Sequence, residues 1–248
     1  MQVTQGMLGS TIQMLTGCFF IDDDVVPNPN ILDAYMGAIM RHPSAKVMVG
    51  NTEMPNSFNL WTRILQTSNI MFFYGVAKHR LFPPWGVTAN LMVKGSRHNH
   101  TVQFKSLYPK TGGGEDIDFI LQMKKFHRED NCVVSVPGAL AVHPWWNNGS
   151  ICYRQICGWA IGDSLCLKEW PEKTYYVFPN WTEYILLLFL ALPAFVPIFQ
   201  LMKVALLITV IDHFSKACAY FPRALKTKRI DQGIFSSIVL AVGARYVV

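Results

Sequence analysis

Residues 184–211 read YILLLFLALPAFVPIFQLMKVALLITVI, 28 positions with Lys203 as the one charge. A helix needs about 20 apolar residues to cross a bilayer core, so the segment is long enough for one crossing and too short for two. A soluble core helix is rarely apolar on every side over such a length. Pro193 and Pro197 are expected to kink it. The stretch FPRALKTKRIDQG then reads as a basic loop over residues 222–229, and IFSSIVLAVGARYVV as a second hydrophobic segment over 234–248. The whole composition agrees, with 51% hydrophobic residues against 15% charged ones, which is apolar for a soluble domain. The chain therefore divides into residues 1–183 and a membrane-associated region over 184–248. The topology stays open. With 1–183 in the cytosol, a single crossing puts Arg223, Lys226, Lys228 and Arg229 outside, against the positive-inside tendency. A re-entrant or interfacial segment keeps both sides cytosolic.

Residues 1–183 alternate between strand and helix signals. MLTGCFFI (14–21) reads as a buried strand. A helix follows, with Asn28 as cap, Pro29 at its first position, and Leu32, Tyr35, Met36, Ile39 and Met40 on one face. KVMVGNT is a short strand, and a helix is expected from about Phe58 to Tyr74. GVTANLMVKGS (86–96) predicts a strand ending in a basic turn. KTGGGEDIDFILQMKKFHRED gives a glycine loop, then acids, then a helix with Ile117, Ile120 and Leu121 inward. NCVVSVPGALAVHP predicts a strand pair or one bent strand. The alternation implies an α/β layered domain.

The chemistry gathers at three places. The first strand runs into Asp22, Asp23 and Asp24, side by side at the strand's C-terminal end, where ligands of α/β sheets usually bind. Three adjacent carboxylates repel unless something offsets them. Carboxylates one residue apart can share a divalent cation, and magnesium and manganese favour such oxygen ligands and bridge them to phosphates. A capped, solvated turn explains the triplet equally well on its own. The second place is Glu115, Asp116 and Asp118, after GGG at a helix N-terminus, where ionised carboxylates are favoured and one can serve as general base. An ordinary acid-rich first turn is the competing explanation. The third is RQICGWAIGDS, with Gln155 and Trp159 four apart on one helical face. An aromatic plane beside an amide suits a sugar ring and its hydroxyls, and a structural tryptophan suits the same string.

In this order, and followed by a membrane segment, these stretches resemble the family-2 glycosyltransferases, in particular the membrane-integrated type related to cellulose, chitin and hyaluronan synthases. FIDDDVVPNP resembles the D-x-D segment, GVTANLMVKGS the G-x-N-x-x-x-[RK] loop, GGGEDIDF the E-D-x-D segment, and QICGW the Q-x-x-R-W motif. The resemblance spans roughly residues 10–211. It implies an α/β, partial GT-A-like (Rossmann-related) domain over 1–183 followed by C-terminal membrane helices. It implies Asp22 and Asp24 as donor-binding and metal-ligating residues for Mg2+ or Mn2+, and Asp116 as catalytic base. Glu115, Gln155 and Trp159 become acceptor-binding residues. The implied reaction transfers a sugar, with inversion, from a nucleotide-diphosphate sugar to a saccharide or lipid acceptor. The protein is then integral to a membrane with its catalytic domain cytosolic, and plasma membrane and Golgi or ER membranes fit equally. Two departures stand out. Gly158 occupies the Arg position of the last motif, and only some twenty residues precede the acids where the family carries its nucleotide-binding half. The alternative is a truncated, non-catalytic membrane scaffold of the same fold.

Other classes find less support. The formal charge of +6 fits anionic lipid or a phosphorylated substrate. No Arg/Lys array is interleaved with stacking aromatics, so nucleic acid is not an expected partner. The six cysteines form no CxxC pair and read as reduced thiols. MQVTQGMLGS has neither the basic nor the apolar stretch of a signal peptide. No G-x-S-x-G and no P-loop is present. His98 and His100 of HNH would need a third ligand, with His127 one guess. Asn99, Asn148 and Asn180 head glycosylation-type strings, and Trp145 and Trp146 suit either an acceptor groove or a bilayer anchor.

Overall fold

A computed structural model describes residues 17–95, 102–109, 112–173, 198–227, 237 and 239–242. Two compact units divide the chain: residues 1–56 with 71–170, and residues 57–70 with 171–248.

The first unit is built on a five-stranded mixed sheet. Its strands are β1 (Gly17–Ile21), β2 (Val26–Pro27), β3 (Val47–Glu53), β4 (Asn90–Lys94) and β5 (Val133–Val142), in the order β1-β4-β3-β5-β2. Only β3 and β5 pair in parallel; β1/β4, β3/β4 and β2/β5 are antiparallel. β3 is buried on both faces, as its unbroken apolar start requires. Met48 faces helix α1 (Ile31–Arg41), whose Ile31, Tyr35, Ala38 and Ile39 pack on it with Val134 and Val136. Val47 and Val49 face helix α4 (Glu115–His127) and meet Phe119, Ile120 and Met123. The result is a helix–sheet–helix sandwich.

The sheet must curl. Ile21 ends β1 at one edge and Val26 begins β2 at the other, five residues on. The intervening acids form a turn, with the Val25 amide donating to the Asp22 carbonyl at 3.1 Å. A flat sheet would separate those edges by about 19 Å, and a turn of this kind spans less than about 7 Å. The bend comes from β5, where Pro137–Ala139 bulge out between the pairs Gly50–Val136 and Asn51–Leu140. Proline, lacking an N–H, is tolerated in such a bulge. Asn90 pins it: its Nδ2 donates to the Asn51 carbonyl (3.1 Å) and the Ala139 carbonyl (2.9 Å), and its Oδ1 accepts from the Tyr35 hydroxyl (2.7 Å). A side chain at Gly50 would overlap that amide.

Several sequence expectations need correction. β1 is not buried: Gly17 and Cys18 are exposed and the rest half-buried, because it forms the sheet's edge. α1 begins after Asn30, not Asn28, and the Asn28 side chain instead accepts from the Asn30 amide at 3.0 Å. Leu32 and Met40 are 54% and 68% exposed and do not share the buried face. The helix expected over Phe58–Tyr74 breaks at Asn69, whose left-handed φ of 57° ends α2 (Leu60–Ser68). A 3-10 turn (Phe72–Gly75) and the short α3 (Val76–His79) follow. In α4, Ile120 and Leu121 are buried as expected and Ile117 only half-buried. β5 is the bent strand the sequence allowed.

Within the second unit, α2 starts on a capping box in which Asn59 Oδ1 accepts from the Thr62 amide (2.8 Å) and Thr62 Oγ1 from the Asn59 amide (3.2 Å). α2 packs on α6 (Ile198–Thr227), with Ile64 against Tyr220, Phe221 and Ala224. Met202–Lys226 of α6 is long and apolar enough to cross a membrane, with a mean hydropathy of 1.4. Residues 222–227 continue this helix instead of forming the expected basic loop. Half of the 184–211 segment, residues 184–197 with Pro193 and Pro197, and most of 234–248 lie outside the described residues.

Candidate functional site

β1, β3 and β5 run in one direction, because each of the outer two is linked to β3 directly or through antiparallel β4. Their C-terminal ends therefore share one rim of the sheet. Asp22–Asp24 leave β1 there and His143 leaves β5 there. The curl closes the gap: Asp22, Asp24 and His143 each offer a ligand atom, all within 4.8 Å of one another. His143 Nε2 lies 3.8 Å from Asp24 Oδ1. The other ring nitrogen, Nδ1, sits 2.6 Å from the Pro144 carbonyl. A carbonyl only accepts, so Nδ1 carries a proton there and Nε2 is the ring atom turned to the acids. A backbone partner fixing the tautomer is how protein ligands to metals are usually held.

The acids are crowded. Packing of protein around it raises the Asp22 carboxyl above its ordinary range; His143 draws it back, while Asp24, Asp23 and Glu115 push it further up. Two carboxylate oxygens and one imidazole nitrogen form a donor set that could hold a divalent cation.

The second acid cluster arrives through glycine. Gly112, Gly113 and Gly114 all have left-handed φ (82°, 134° and 86°), and Gly114 caps α4. The loop lies directly on α5 (Tyr153–Glu169). A methyl on Gly162 would collide with the Gly113 carbonyl, and one on Gly113 would come within 2.7 Å of the Gly158 carbonyl and 2.9 Å of Trp159 Cα. This close approach sets the loop that leads into Glu115 and Asp116 against the stretch of α5 that carries Gly158, Trp159 and Gly162, with Gln155 and Glu115 both near Gly112. Glu115 Oε2 accepts from the Gly113 amide at 2.6 Å. Asp116 departs from expectation. The helix N-terminus was expected to keep it readily ionised, and its Oδ1 does accept from the Ile117 amide at 2.8 Å. Burial outweighs that bond, helped by Glu115 and Asp22, and the carboxyl is pushed up to about 7.

Asp118 turns away, as one helical step of about 100° per residue requires. It is fully buried and accepts from Lys105 Nζ (3.1 Å), Trp170 Nε1 (2.7 Å) and Gln122 Nε2 (2.7 Å). Its role is to hold the 102–109 segment and the end of α5 onto α4.

Three side chains at the site escaped the sequence reading: His143, Tyr74 and Phe73; Trp146, read as suiting either an acceptor groove or a bilayer anchor, packs beside them. Tyr74 is buried among the acids; burial first, then Asp22, Asp116 and Asp24, raise its hydroxyl well above the ordinary range. Its ring lies 5.2 Å from His143 and 5.9 Å from Trp146. Trp146 lies 5.1 Å from Trp159, and Phe73 lies 5.4 Å from Trp159. The rule that selected Asp22, a polar residue just past a strand's C-terminal end, would have selected His143 too. His127 does not join it: it ends α4, about 16 Å along the helix from Asp116 by the rise per residue. His98 and His100 lie outside the described residues. On the β1 side of the acids a cleft of about 580 Å³ opens between Phe19, Asp22, Thr88, Phe104 and Glu115.

No family model matches the chain, and no curated protein matches it. The site is therefore read from its own geometry.

Proposed function

We propose that the chain is the catalytic part of a membrane-bound, inverting glycosyltransferase of GT-A-like fold, which moves a sugar from a nucleotide-diphosphate donor to an acceptor hydroxyl. The observation that carries this reading is the convergence of Asp22, Asp24 and His143 with Asp116 at one rim of the sheet. Asp22, Asp24 and His143 would hold Mg2+ or Mn2+. A cation there supplies charge neutralisation for a diphosphate leaving group.

The remaining work falls to the chain's own side chains. Asp116 accepts the acceptor's proton as its oxygen attacks the anomeric carbon. A carboxyl near 7 is well matched to that task at neutral pH, half ionised and more basic than an exposed aspartate. Glu115, fixed on the Gly113 amide, places α4's first turn and lines the cleft beside Asp22. With Gln155 and Trp159 it holds the acceptor, a saccharide or lipid hydroxyl directed at Asp116. The apolar helix Met202–Lys226 fits residence in a membrane, and the reading places the catalytic unit on the cytosolic side, where nucleotide sugars are made.

The direct test is calorimetric titration of UDP into the detergent-solubilised chain with manganese and with chelator, followed by donor turnover. Manganese-dependent binding, lost in Asp24→Ala and His143→Ala, is the expected result. Equal binding in chelator would sink the reading.

A further inference from the structure

α2 carries its polarity the wrong way round for a helix in water. It buries Thr62, Thr67 and Ser68 together with Leu65. Phe58, just ahead of it, and Leu60, at its first position, are 64% and 48% exposed. A surface helix in water does the reverse. Two of the buried hydroxyls are satisfied locally: Ser68 Oγ donates to the Leu65 carbonyl at 2.8 Å, and Thr62 Oγ1 belongs to the capping box.

α6 is inverted in the same way. It buries Ala205, Asp212 and Ala224 and exposes Leu206, Leu207 and Phe214. Apolar side chains outward and an ionisable one inward is the pattern of a helix surrounded by hydrocarbon. Lys203 and Lys226, both exposed, bracket it. They stand 23 positions apart, about 35 Å along the axis. That matches a bilayer core of about 30 Å with a lysine reaching for water at each end.

The two helices meet near the C-terminal end of α6. Ile64 packs with Tyr220, Phe221 and Ala224, at the level of exposed Arg223 and Lys226. Tyrosine and basic side chains gather where a bilayer meets water. Connectivity then fixes a side. Residues 57–70 leave the first unit and return to it within 14 residues. Crossing a bilayer twice takes about 40 helical residues, so α2 stays on the face where the first unit folds.

We propose that α2 is an in-plane membrane anchor, which seats Phe58 and Leu60 in the outer layer of the bilayer and holds the C-terminal end of α6 on the first unit's side. The occupant of its apolar surface is lipid, because that surface continues the outer face of α6 within one unit. Helices of this kind sink only about 5–10 Å, to the boundary between headgroups and acyl chains. The basic end of α6 supplies the attraction to anionic headgroups. The conflict left by the sequence disappears: α6 returns toward the first unit, and Arg223 and Lys226 end on that side. The inference rests on membrane residence of α6 and on no part of the transfer chemistry.

The test uses the full chain in sealed phosphatidylcholine–phosphatidylserine vesicles. Two photoactivatable phosphatidylcholines carry a diazirine near the glycerol end or at the methyl end of one acyl chain, and adducts are mapped by mass spectrometry. Residues 57–61 should be labelled by the shallow probe and spared by the deep one. The middle of α6 should take both. Phe58→Asp with Leu60→Asp should lower the shallow labelling about tenfold. If that variant fails to fold, labelling of the unaltered chain decides. A membrane-impermeant acylating reagent reads sidedness in vesicles whose two protein orientations are unequal. Lys226 should be modified to the same extent as Lys168 of the first unit, and Lys203 to the complementary extent. Unlabelled 57–61, as when a second copy covers them, deep labelling there, or Lys226 following Lys203 would each overturn the proposal. Release of the chain by carbonate would overturn it together with membrane residence; a retained chain with unlabelled α2 overturns it alone.

Discussion

At Asp116 two forces on one carboxyl oppose each other, and their balance sets a pH dependence. The helix N-terminus and the Ile117 amide favour the anion, burial and Glu115 disfavour it, and the group ends near 7. Only the carboxylate can accept a proton, so transfer should rise with pH through about 7 and not through the ordinary carboxylate range, a limb that a pH–kcat/KM profile would reveal. Asp116→Asn should lower transfer about 10²–10⁴-fold with UDP binding retained. The stability sign follows from the same shift. A folded carboxyl raised above its unfolded value of 3.8 contributes stability that is complete below that value and lost as pH climbs through 7. Asp116→Asn should therefore be the more stable protein at pH 8, by on the order of 2 kcal/mol after allowing for partial solvent access, with the gap closing toward pH 4 in thermal melts. His143→Ala should weaken manganese binding by about tenfold or more, since loss of a metal ligand costs at least as much as loss of its supporting partner. Asn90 shows what sequence reading misses at this scale. Its string resembled a family loop, yet its amide bonds the Tyr35 hydroxyl, Asn51 and Ala139 inside the core. Asn90→Ala should cost about 2–4 kcal/mol in denaturant titration, because it leaves several buried groups unpaired.

Among elements, periodicity located helices better than their faces. α1 buries positions 31, 35, 38 and 39, a regular i, i+4, i+7, i+8 stripe, but Ala38 carries little hydrophobic weight and Leu32 and Met40 carry much. Choosing by bulk over phase added the solvent-facing Leu32 and Met40 to a face whose Tyr35 and Ile39 are buried. β1 shows a similar limit: an apolar run does not say whether a strand has one neighbour or two. The contact of α4 with α5 was half legible. The glycine loop, the acids and the Gln155–Trp159 pair were all visible as strings. Gly162, which lets the loop lie against α5, carried no signal until the backbones were seen together. The loop also lies close to the departure at Gly158, whose carbonyl a methyl on Gly113 would meet at 2.7 Å. Gly162→Ala puts a methyl into the Gly113 carbonyl, and backbone cannot rotate out of the way as a side chain can. A loss of about 2–3 kcal/mol is expected, as for overpacking. If the proposed reading holds, transfer should fall further than stability explains, since it puts the base on α4 and the acceptor contacts on α5.

The whole chain combines an α/β unit with a second unit built on a long apolar helix. The protein should stay in the membrane pellet through alkaline carbonate washing, and release into the supernatant would make α6 a peripheral or core helix. The apolar stretch was legible in sequence, but its limits were not. α6 runs on through Asp212, Lys216 and Arg223 because Asp212 is buried and pairs with Lys216 at 3.0 Å within the helix, which composition alone does not reveal. The sheet's layering was legible; its curl was not, because it depends on the bulge at Pro137–Ala139 and on a turn that only the pairing of β2 with β5 exposes. That curl carries one more consequence. It joins two rim positions about 120 residues apart, Asp24 and His143, across the mouth of the first unit. An ion gripping both would act as a reversible clasp on that entire length of chain, lowering the entropy of its unfolded ensemble much as a long disulfide loop does. The unit's resistance to melting would then track free manganese as well as temperature, and a cell's supply of one cation would govern how long the protein lasts.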